Sequence, residues 1–280
     1  MGSSGKSGAL FYYTKDRKYM LKSISGREFA QLVGKKVLES FLVHFDANPE
    51  SLLIRFFGAY KLRWKDPSVK KCGLHTPETT SYIVVMNNVF EHFDIGLRFD
   101  MKGSQKSRTV LMENQSLDDY LQTKDASKSL KCVDFTSKVG TLTFKESMMP
   151  RRERNDNLIT ILKNDSRMLM QNDLMDYSLI LGKIKQSAEQ VRKVCRANPL
   201  KGRGVYIDQD DQPWMIGVID PLNPYDIEKK AEYYLKVWKH GETMSCIPPH
   251  PYKLRWDNFM ENCFKEPLDH KERERRSNFN

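Results

Sequence analysis

The chain has 280 residues, 46 Lys plus Arg against 36 Asp plus Glu for a formal charge of +10, and 39% hydrophobic residues. That is ample for one large domain or two lobes around a sizeable core, and it excludes wholesale disorder. No apolar run approaches the roughly 18 residues of a membrane span, and the start, MGSSGKSGALFYY, carries no run of signal-peptide length, so secretion is not expected.

Residues 9–25 read as two short strands about a polar turn at Thr14–Arg17. Phe29, Val33, Val37 and Phe41 recur at i and i+4, which predicts one helix over 26–45. A strand is expected over 52–64, then a polar surface loop to residue 80, then a buried central strand, YIVVMNNVF, at 82–90. From 104 to 157 the chain is polar and weakly patterned, and is read as insert-like. Helical period returns at 157–173. Two apolar strands follow, DYSLILGKI (176–184) and QPWMIGVIDPL (212–222), separated by a basic, helix-compatible segment. A helix is expected over 225–239, an irregular loop over 241–251 with Pro248, Pro249 and Pro251, a last helix over 252–265 and a frayed basic tail. The fold class is α+β, a sheet-dominated first lobe and a mixed second lobe, with the cleft between them as the default site.

The five cysteines are Cys72, Cys132, Cys195, Cys246 and Cys263, none near another in sequence, so paired zinc spacing is absent and free thiols are expected. The basic balance points to an acidic partner: nucleic acid, phosphorylated lipid or nucleotide. Gly5-Lys6-Ser7-Gly8 lies just before a strand, where backbone N–H groups can approach phosphate. It is not a Walker A loop, and taken alone it is better explained as a plain flexible terminus. Lys22, among Met20, Leu21 and Ile24, is either a snorkelling edge lysine or a phosphate-holding one. Asp100 and Lys102 precede a Gly-Ser turn followed by Lys106 and Arg108, a phosphate-compatible cluster or a solvated loop. Asp176 and Asp220, 44 positions apart, stand at the ends of two apolar strands. They converge on one Mg²⁺-binding, proton-accepting site, or Asp220 merely starts the turn at Pro221. Pro221 also biases Asp220 toward an extended backbone.

Taken in order, the glycine turn, the strand lysine, DMKGSxxxR, MDYSLILG and IGVIDPL resemble the phosphatidylinositol phosphate kinase family over about residues 5–265. That family carries a GxSG-type loop, an IIKT-like lysine, DLKGS, MDYSLL and IIDxL. The resemblance implies a two-lobed kinase-like fold with an N-lobe over 1–92 and a C-lobe over 93–266. The C-lobe would have an insert-rich stretch at 104–157, a specificity loop at 221–256 and a flat basic membrane face, with a basic tail at 267–280. It implies ATP and Mg²⁺ as cofactors. Gly5, Ser7 and Gly8 would cover the ATP phosphates held by Lys22, and Met86 and Asn87 would lie at the hinge beside adenine. Asp176 would be the catalytic aspartate and Asp220 the Mg²⁺ ligand. Asp100, Lys102 and Arg108 would lie near phosphates, and Lys229 and Lys230 would face lipid.

The segment 221–256 resembles the type I subfamily, the phosphatidylinositol 4-phosphate 5-kinases, through Lys229-Lys230 and a GDTVS-like Gly241-Glu242-Thr243-Met244-Ser245. The alternatives are a type III-like phosphatidylinositol 3-phosphate 5-kinase, which the GKSG start resembles equally, and a catalytically weak phosphoinositide-binding scaffold. The family's upstream segment, which supports the first lobe and dimerises in several members, has no counterpart before the glycine turn, so this start gives no support to a dimer. The implied partner is a phosphoinositide in an anionic membrane, and the implied location is peripheral, at the cytosolic face. Nucleic acid is not expected, for want of finger, zipper or aromatic–glycine signatures. A protein kinase is not expected either, for want of HRD and DFG.

Overall fold

The computed structural model describes residues 3–4, 9–34, 37–65, 78–104, 109–123, 128–149, 157–226, 229–230 and 247–265. The first lobe is an antiparallel sheet of β1 (Ser3–Ser4), β2 (Leu10–Tyr13), β3 (Tyr19–Ile24), β4 (Phe56–Lys65) and β5 (Glu78–Asn87), in spatial order β1-β2-β3-β5-β4. The β2–β3 turn closes as its polar residues direct. Thr14 donates its N–H to Tyr19 O at 3.0 Å and its hydroxyl to Asp16 at 2.6 Å. Strand alternation turns Val84 and Met86 inward onto two helices, α1 (Gly26–Gly34) and α2 (Val37–Ala47). Phe41 meets Phe56 edge-on at 5.3 Å, and Phe29 packs on Tyr82 at 4.8 Å.

The helix expected over 26–45 is described as α1 up to Gly34 and α2 from Val37, with 35–36 outside the described residues. Along the expected stripe Val37 and Phe41 are buried, but Val33 is exposed.

The second lobe is built on a six-stranded sheet, order β13-β7-β10-β11-β9-β6. Its members are β6 (Ile95–Met101), β7 (Leu142–Ser147), β9 (Ser178–Ile184), β10 (Val205–Asp208), β11 (Pro213–Ile219) and β13 (Phe264–Lys265). A two-stranded pair joins β8 (Leu174–Met175) to β12 (Asn223–Pro224). Helices α5 (Leu158–Gln171) and α7 (Pro249–Cys263) supply the core partners, Leu162 and Leu169 from one and Tyr252, Trp256 and Met260 from the other. Helix α6 (Ala188–Ala197) begins at a Ser187–Gln190 capping box.

The stretch 104–157 departs from the expectation of an insert. Among its described residues, β7 is an inner strand of the sheet and α4 (Cys132–Lys138) places Cys132 and Phe135 in the core. Short α3 (Leu117–Leu121) is capped by Ser116 and buries Tyr120. Asp134 ties the region together. It accepts from the N–H groups of Lys131, Val110 and Leu111 and from the Thr109 hydroxyl. The low apolar content of the stretch reflects this buried polar hub rather than a lack of structure.

Two junctions between the lobes bear on the site. Leu52–Ile54 lies along β11, with Ile54 N–H donating to Val218 O at 3.0 Å and Val218 N–H to Leu52 O at 2.8 Å. Buried Asp165 of α5 fixes this contact by accepting from Leu52 N–H at 2.8 Å and meeting His44 Nε2 at 2.7 Å. The second junction is the chain from Asn88 to Asp94, which crosses the second sheet where β11 and β9 carry Gly217 and Gly182. A Cβ at Gly217 would stand 2.8 Å from a Val89 methyl, and one at Gly182 would stand 2.7 Å from the Phe90 ring. Both positions need glycine because the connecting segment lies directly on the sheet.

Candidate active site

Strand register brings the charged motifs together. On β9 and β11, Leu179 pairs with Val218 and Ser178 with Ile219, so Asp176 and Asp220 leave the same end of adjacent strands. On β6, Met101 pairs with Leu179, which carries Lys102 to that end as well. Three antiparallel partners thus deliver Lys102, Asp176 and Asp220 to one edge of the sheet. The first lobe delivers Lys22 from β3, where it pairs with Phe11 and Val84.

Two ion pairs result. Lys22 Nζ lies 2.6 Å from Asp220 Oδ1, and Lys102 Nζ lies 2.7 Å from Asp176 Oδ1. Both lysine side chains are only 14% exposed, whereas Asp220 is 41% and Asp176 27% exposed. The Asp220 carboxylate therefore reaches the open side, whereas Asp176 Oδ1 is buried against Lys102. The Phe11 ring lies 5.7 Å from Lys22 Nζ. Asp100 pairs with Lys131, the residue that caps α4. Three lysines and three aspartates balance at this edge, so added phosphate groups would depend on the same lysines and on any cation brought with them.

Both aspartates are conformationally constrained. Asp176 has φ 59° and Asp220 φ 57°, in the left-handed region. The extended backbone expected at Asp220 from Pro221 does not occur. Asp is one of the few non-glycine residues that enters this region readily, and strain of about 1–3 kcal/mol per residue is held by the surroundings at such sites. Here the holders are visible. Met175 pairs with Asn223 just before Asp176, and the buried Tyr177 follows it. The Tyr177 carbonyl accepts from the Tyr252 hydroxyl, and its ring packs against Tyr252 at 4.8 Å and Trp256 at 5.3 Å. Burial pushes the Tyr177 hydroxyl well above the usual tyrosine range, with nearby Asp257 adding to the effect. That hydroxyl stays neutral and serves packing.

Met86 and Asn87 stand at the end of β5, where the chain leaves for the second lobe. The Met86 side chain is buried, and the Asn87 amide oxygen accepts from Arg55 N–H at 2.6 Å. Asn87 and Asn88 also line a cavity of about 110 Å³ with His92 and Arg203; none of Lys22, Lys102, Asp176 and Asp220 lines it. Lys229 and Lys230 begin the segment after β12. Their N–H groups donate to the Asp226 side chain (3.0 Å) and carbonyl (2.8 Å), and Lys230 is exposed above the Tyr225 ring. Gly5, Ser7, Gly8 and Arg108 lie outside the described residues, as does 231–246.

Comparison with known proteins adds the family. The family profile described as Phosphatidylinositol-4-phosphate 5-Kinase matches residues 1–204 and 183–263. The chain belongs to this family. A phosphatidylinositol 4-phosphate 5-kinase of Plasmodium falciparum is 28% identical over 94% of the chain and 16% of its own length. Phosphatidylinositol 4-phosphate 5-kinase 3 of Arabidopsis thaliana is 25% identical over 94% of the chain and 40% of its length. The human phosphatidylinositol 5-phosphate 4-kinase type-2 beta is 26% identical over 93% of the chain and 68% of its length. The chain thus spans less than half the length of the first two of these relatives.

Two kinds of residue escaped the sequence reading of this kinase-family site. Cys132 is 30 positions from Lys102, beside Lys131 in a stretch without strong period, yet its Sγ accepts from Lys102 N–H at 3.2 Å. Tyr252 and Trp256 carry helical spacing, but nothing in that spacing points to Tyr177. The alternation of buried Phe99 and Met101 with Asp100 and Lys102 was the available signal, since it puts the two charged residues on one strand face.

Proposed function

We propose that this chain is an ATP-dependent lipid kinase that phosphorylates the inositol ring of a monophosphorylated phosphatidylinositol, with the 4-phosphate lipid as substrate and the 5-hydroxyl as acceptor. The observation that carries the reading is the delivery of Asp176 and Asp220 to one sheet edge, each paired with a lysine from a different strand. Family membership supports the reaction class, and the two relatives named as 4-phosphate 5-kinases support the substrate.

Each residue then has a chemical task. Asp176 orients the acceptor hydroxyl and takes its proton on a carboxylate oxygen as the phosphoryl group arrives. Lys22, paired with Asp220 at the cleft, holds the α/β-phosphates of ATP, the task for which Gly5, Ser7 and Gly8 are also proposed. Met86 and Asn87 border adenine. Lys102, with Asp100 on the same strand face, exchanges its contact with Asp176 for substrate or ATP phosphate, and Arg108 is proposed as a further phosphate ligand. The donor set suits Mg²⁺, which takes one or two carboxylates together with substrate phosphates rather than a full protein cage. Asp220 offers an exposed carboxylate at the cleft, and no group of three or more potential metal-binding side chains occurs among the described residues. Asp220 would hold the ion, and the ion would neutralise charge on the transferring phosphoryl group.

No helix among the described residues is long and apolar enough to cross a membrane. Approach to the lipid is proposed through a basic face carrying Lys229 and Lys230, at the cytosolic side of an anionic bilayer. The proposed bounds are 1–92 and 93–266 for the lobes, 221–256 for the specificity segment and 267–280 for the basic tail.

The test is labelled ATP with Mg²⁺ and vesicles carrying each monophosphorylated phosphatidylinositol in turn, with Asp220→Asn in parallel. The expected result is product from the 4-phosphate lipid, reduced on the order of 10²-fold or more in the variant. Product from the 5-phosphate or 3-phosphate lipid instead would reassign the substrate. Vesicle binding without any product would replace the kinase with a scaffold.

A further inference from the structure

The cavity of about 110 Å³ beside Asn87 and Asn88 also takes in Leu52, Ile54 and Gly217, so it lies where the two lobe junctions meet. Arg203, two residues before β10, is half-buried and lines it. Arg55, also half-buried, follows Ile54. Among the described residues neither guanidinium makes a hydrogen bond or an ion pair. Arg55 lies over the Phe45 ring, its guanidinium carbon 3.4 Å from the ring centre, and its Nη1 is buried. The field of Asp165 acts on both arginines, but that carboxylate is already engaged by Leu52 N–H and His44 Nε2. Burial pushes Arg55 down to about 9, with Arg203 adding to the shift and Asp165 and Glu50 opposing it. Burial lowers Arg203 as well, against the pull of Asp165.

Two neighbouring cations held away from water without hydrogen-bonded partners are costly, and buried charges are ordinarily paired. An anion in the cavity would remove that cost. The rest of the lining suits one. Asn87 Oδ1 accepts from Arg55 N–H, so the Asn87 NH2 group is the end that can donate to a guest. Glu91 is the acidic residue of the lining, and it is turned to His92 Nδ1 at 3.6 Å. Lys201 and Lys18 act on His92 from nearby. Pockets for drug-sized ligands span roughly 300–1,000 Å³, so this one takes a small oxyanion and not a nucleotide. A guanidinium fork matches the paired oxygens of a phosphate group.

We propose that this cavity binds a phosphate group, as free inorganic phosphate or on a small phosphomonoester, with Arg203 as principal ligand and the Asn87 amide as a second. None of Lys22, Lys102, Asp176 and Asp220 lines the cavity, so the site is distinct from the candidate active site and does not rest on the lipid-kinase reading. Once bound, the anion ties Arg203 of the second lobe to Asn87 at the end of β5 and braces the junction between the lobes.

The test measures urea midpoints of the whole chain without ATP or lipid, in inorganic phosphate, in glycerol 3-phosphate and in acetate at matched ionic strength. Calorimetry gives the phosphate Kd. The proteins are the wild type, Arg203→Gln, Arg203→Lys and Lys22→Met. At least one phosphate compound should raise the wild-type midpoint above its value in acetate, because it binds the folded state. Arg203→Gln should weaken phosphate binding about tenfold or more, as loss of a hydrogen bond to a charged group does. Lys22→Met should keep the phosphate effect. If Arg203→Gln does not fold, Arg203→Lys decides, with binding weakened about tenfold for want of the planar fork. An effect of inorganic phosphate alone identifies the free anion, and an effect of glycerol 3-phosphate identifies a phosphomonoester; either supports the site. Equal wild-type midpoints in acetate and in both phosphate compounds overturn the proposal. So does a phosphate effect that survives loss of the Arg203 fork, or one that vanishes in Lys22→Met, which would move the anion to the edge that carries Asp176 and Asp220.

Discussion

Gly217→Ala examines the junction between the lobes. The added methyl would sit 2.8 and 2.9 Å from the two Val89 methyls, with the Val89 Cβ at 3.5 Å. Carbon atoms in favourable contact stand roughly 3.5–4.0 Å apart, so about 1 Å must be made up by movement. The sheet cannot yield, because Gly217 pairs with Ile180 in the middle of β9 and β11. The connecting segment must yield instead, at an overpacking cost of about 1–3 kcal/mol. Movement of Val89 passes directly to Asn88 and Asn87. The variant should therefore unfold at lower urea and raise KM for ATP more than KM for lipid. Val89→Ala removes both clashing methyls, so Gly217→Ala/Val89→Ala should recover most of the loss relative to Val89→Ala alone. Equilibrium urea denaturation with ATP-dependent kinetics on the four proteins closes the cycle. Neutral behaviour of Gly217→Ala, or failure of Val89→Ala to rescue it, refutes the reasoning.

Tyr252→Phe leaves the buried Tyr177 carbonyl without its hydroxyl donor and should lower stability by about 1–3 kcal/mol, read from the urea midpoint. Its kcat should fall as well, because Tyr177 adjoins Asp176, and an unchanged kcat would separate the tyrosine pair from the site. Burial pushes His92 below its usual range, with Glu91 opposing and Lys201 and Lys18 assisting. Below about pH 6.5 the unfolded state therefore binds more protons than the folded one, so stability present above that pH declines as pH falls through the lowered value. His92→Gln should flatten this acid limb in denaturation series run on both sides of it, and an identical limb would assign it elsewhere. The Cys263 thiol is pushed up to about 12 by burial, with Cys132 beside it adding to the shift. Alkylation of the native protein should leave both thiols unmodified by mass spectrometry until denaturant is added, and rapid labelling of either in the folded state contradicts their placement.

Much of the site was legible because its residues sit in strong local patterns. Asp176 and Asp220 stand out as charges at the ends of apolar strands, and antiparallel pairing of those strands places them side by side. Lys22 shows as a cation within a strand. The turn at Thr14–Arg17 and the strands around it carry their own signals. What escaped depends on pairing between distant segments. Strand β6 was hidden because it alternates Phe99 and Met101 with Arg98, Asp100 and Lys102 in a stretch of otherwise polar character. Asp134 looks like any helix acid until its five hydrogen bonds to residues 109–111 and 131 are seen. The i, i+4 stripe through Val33 put that side chain on the core face, where it is in fact exposed. The left-handed Asp220 ran against the bias from Pro221, since tertiary holders override a local preference at a strained position.

The most direct test of the two-aspartate centre is Asp176→Asn, assayed for lipid phosphorylation and for Mg·ATP binding on the same preparation. The account predicts a fall in kcat of about 10²–10⁴-fold with ATP affinity kept within about threefold, since Asp176 handles the acceptor proton and not the nucleotide. Turnover within about threefold of wild type, as expected of a residue outside the proton transfer, would contradict it.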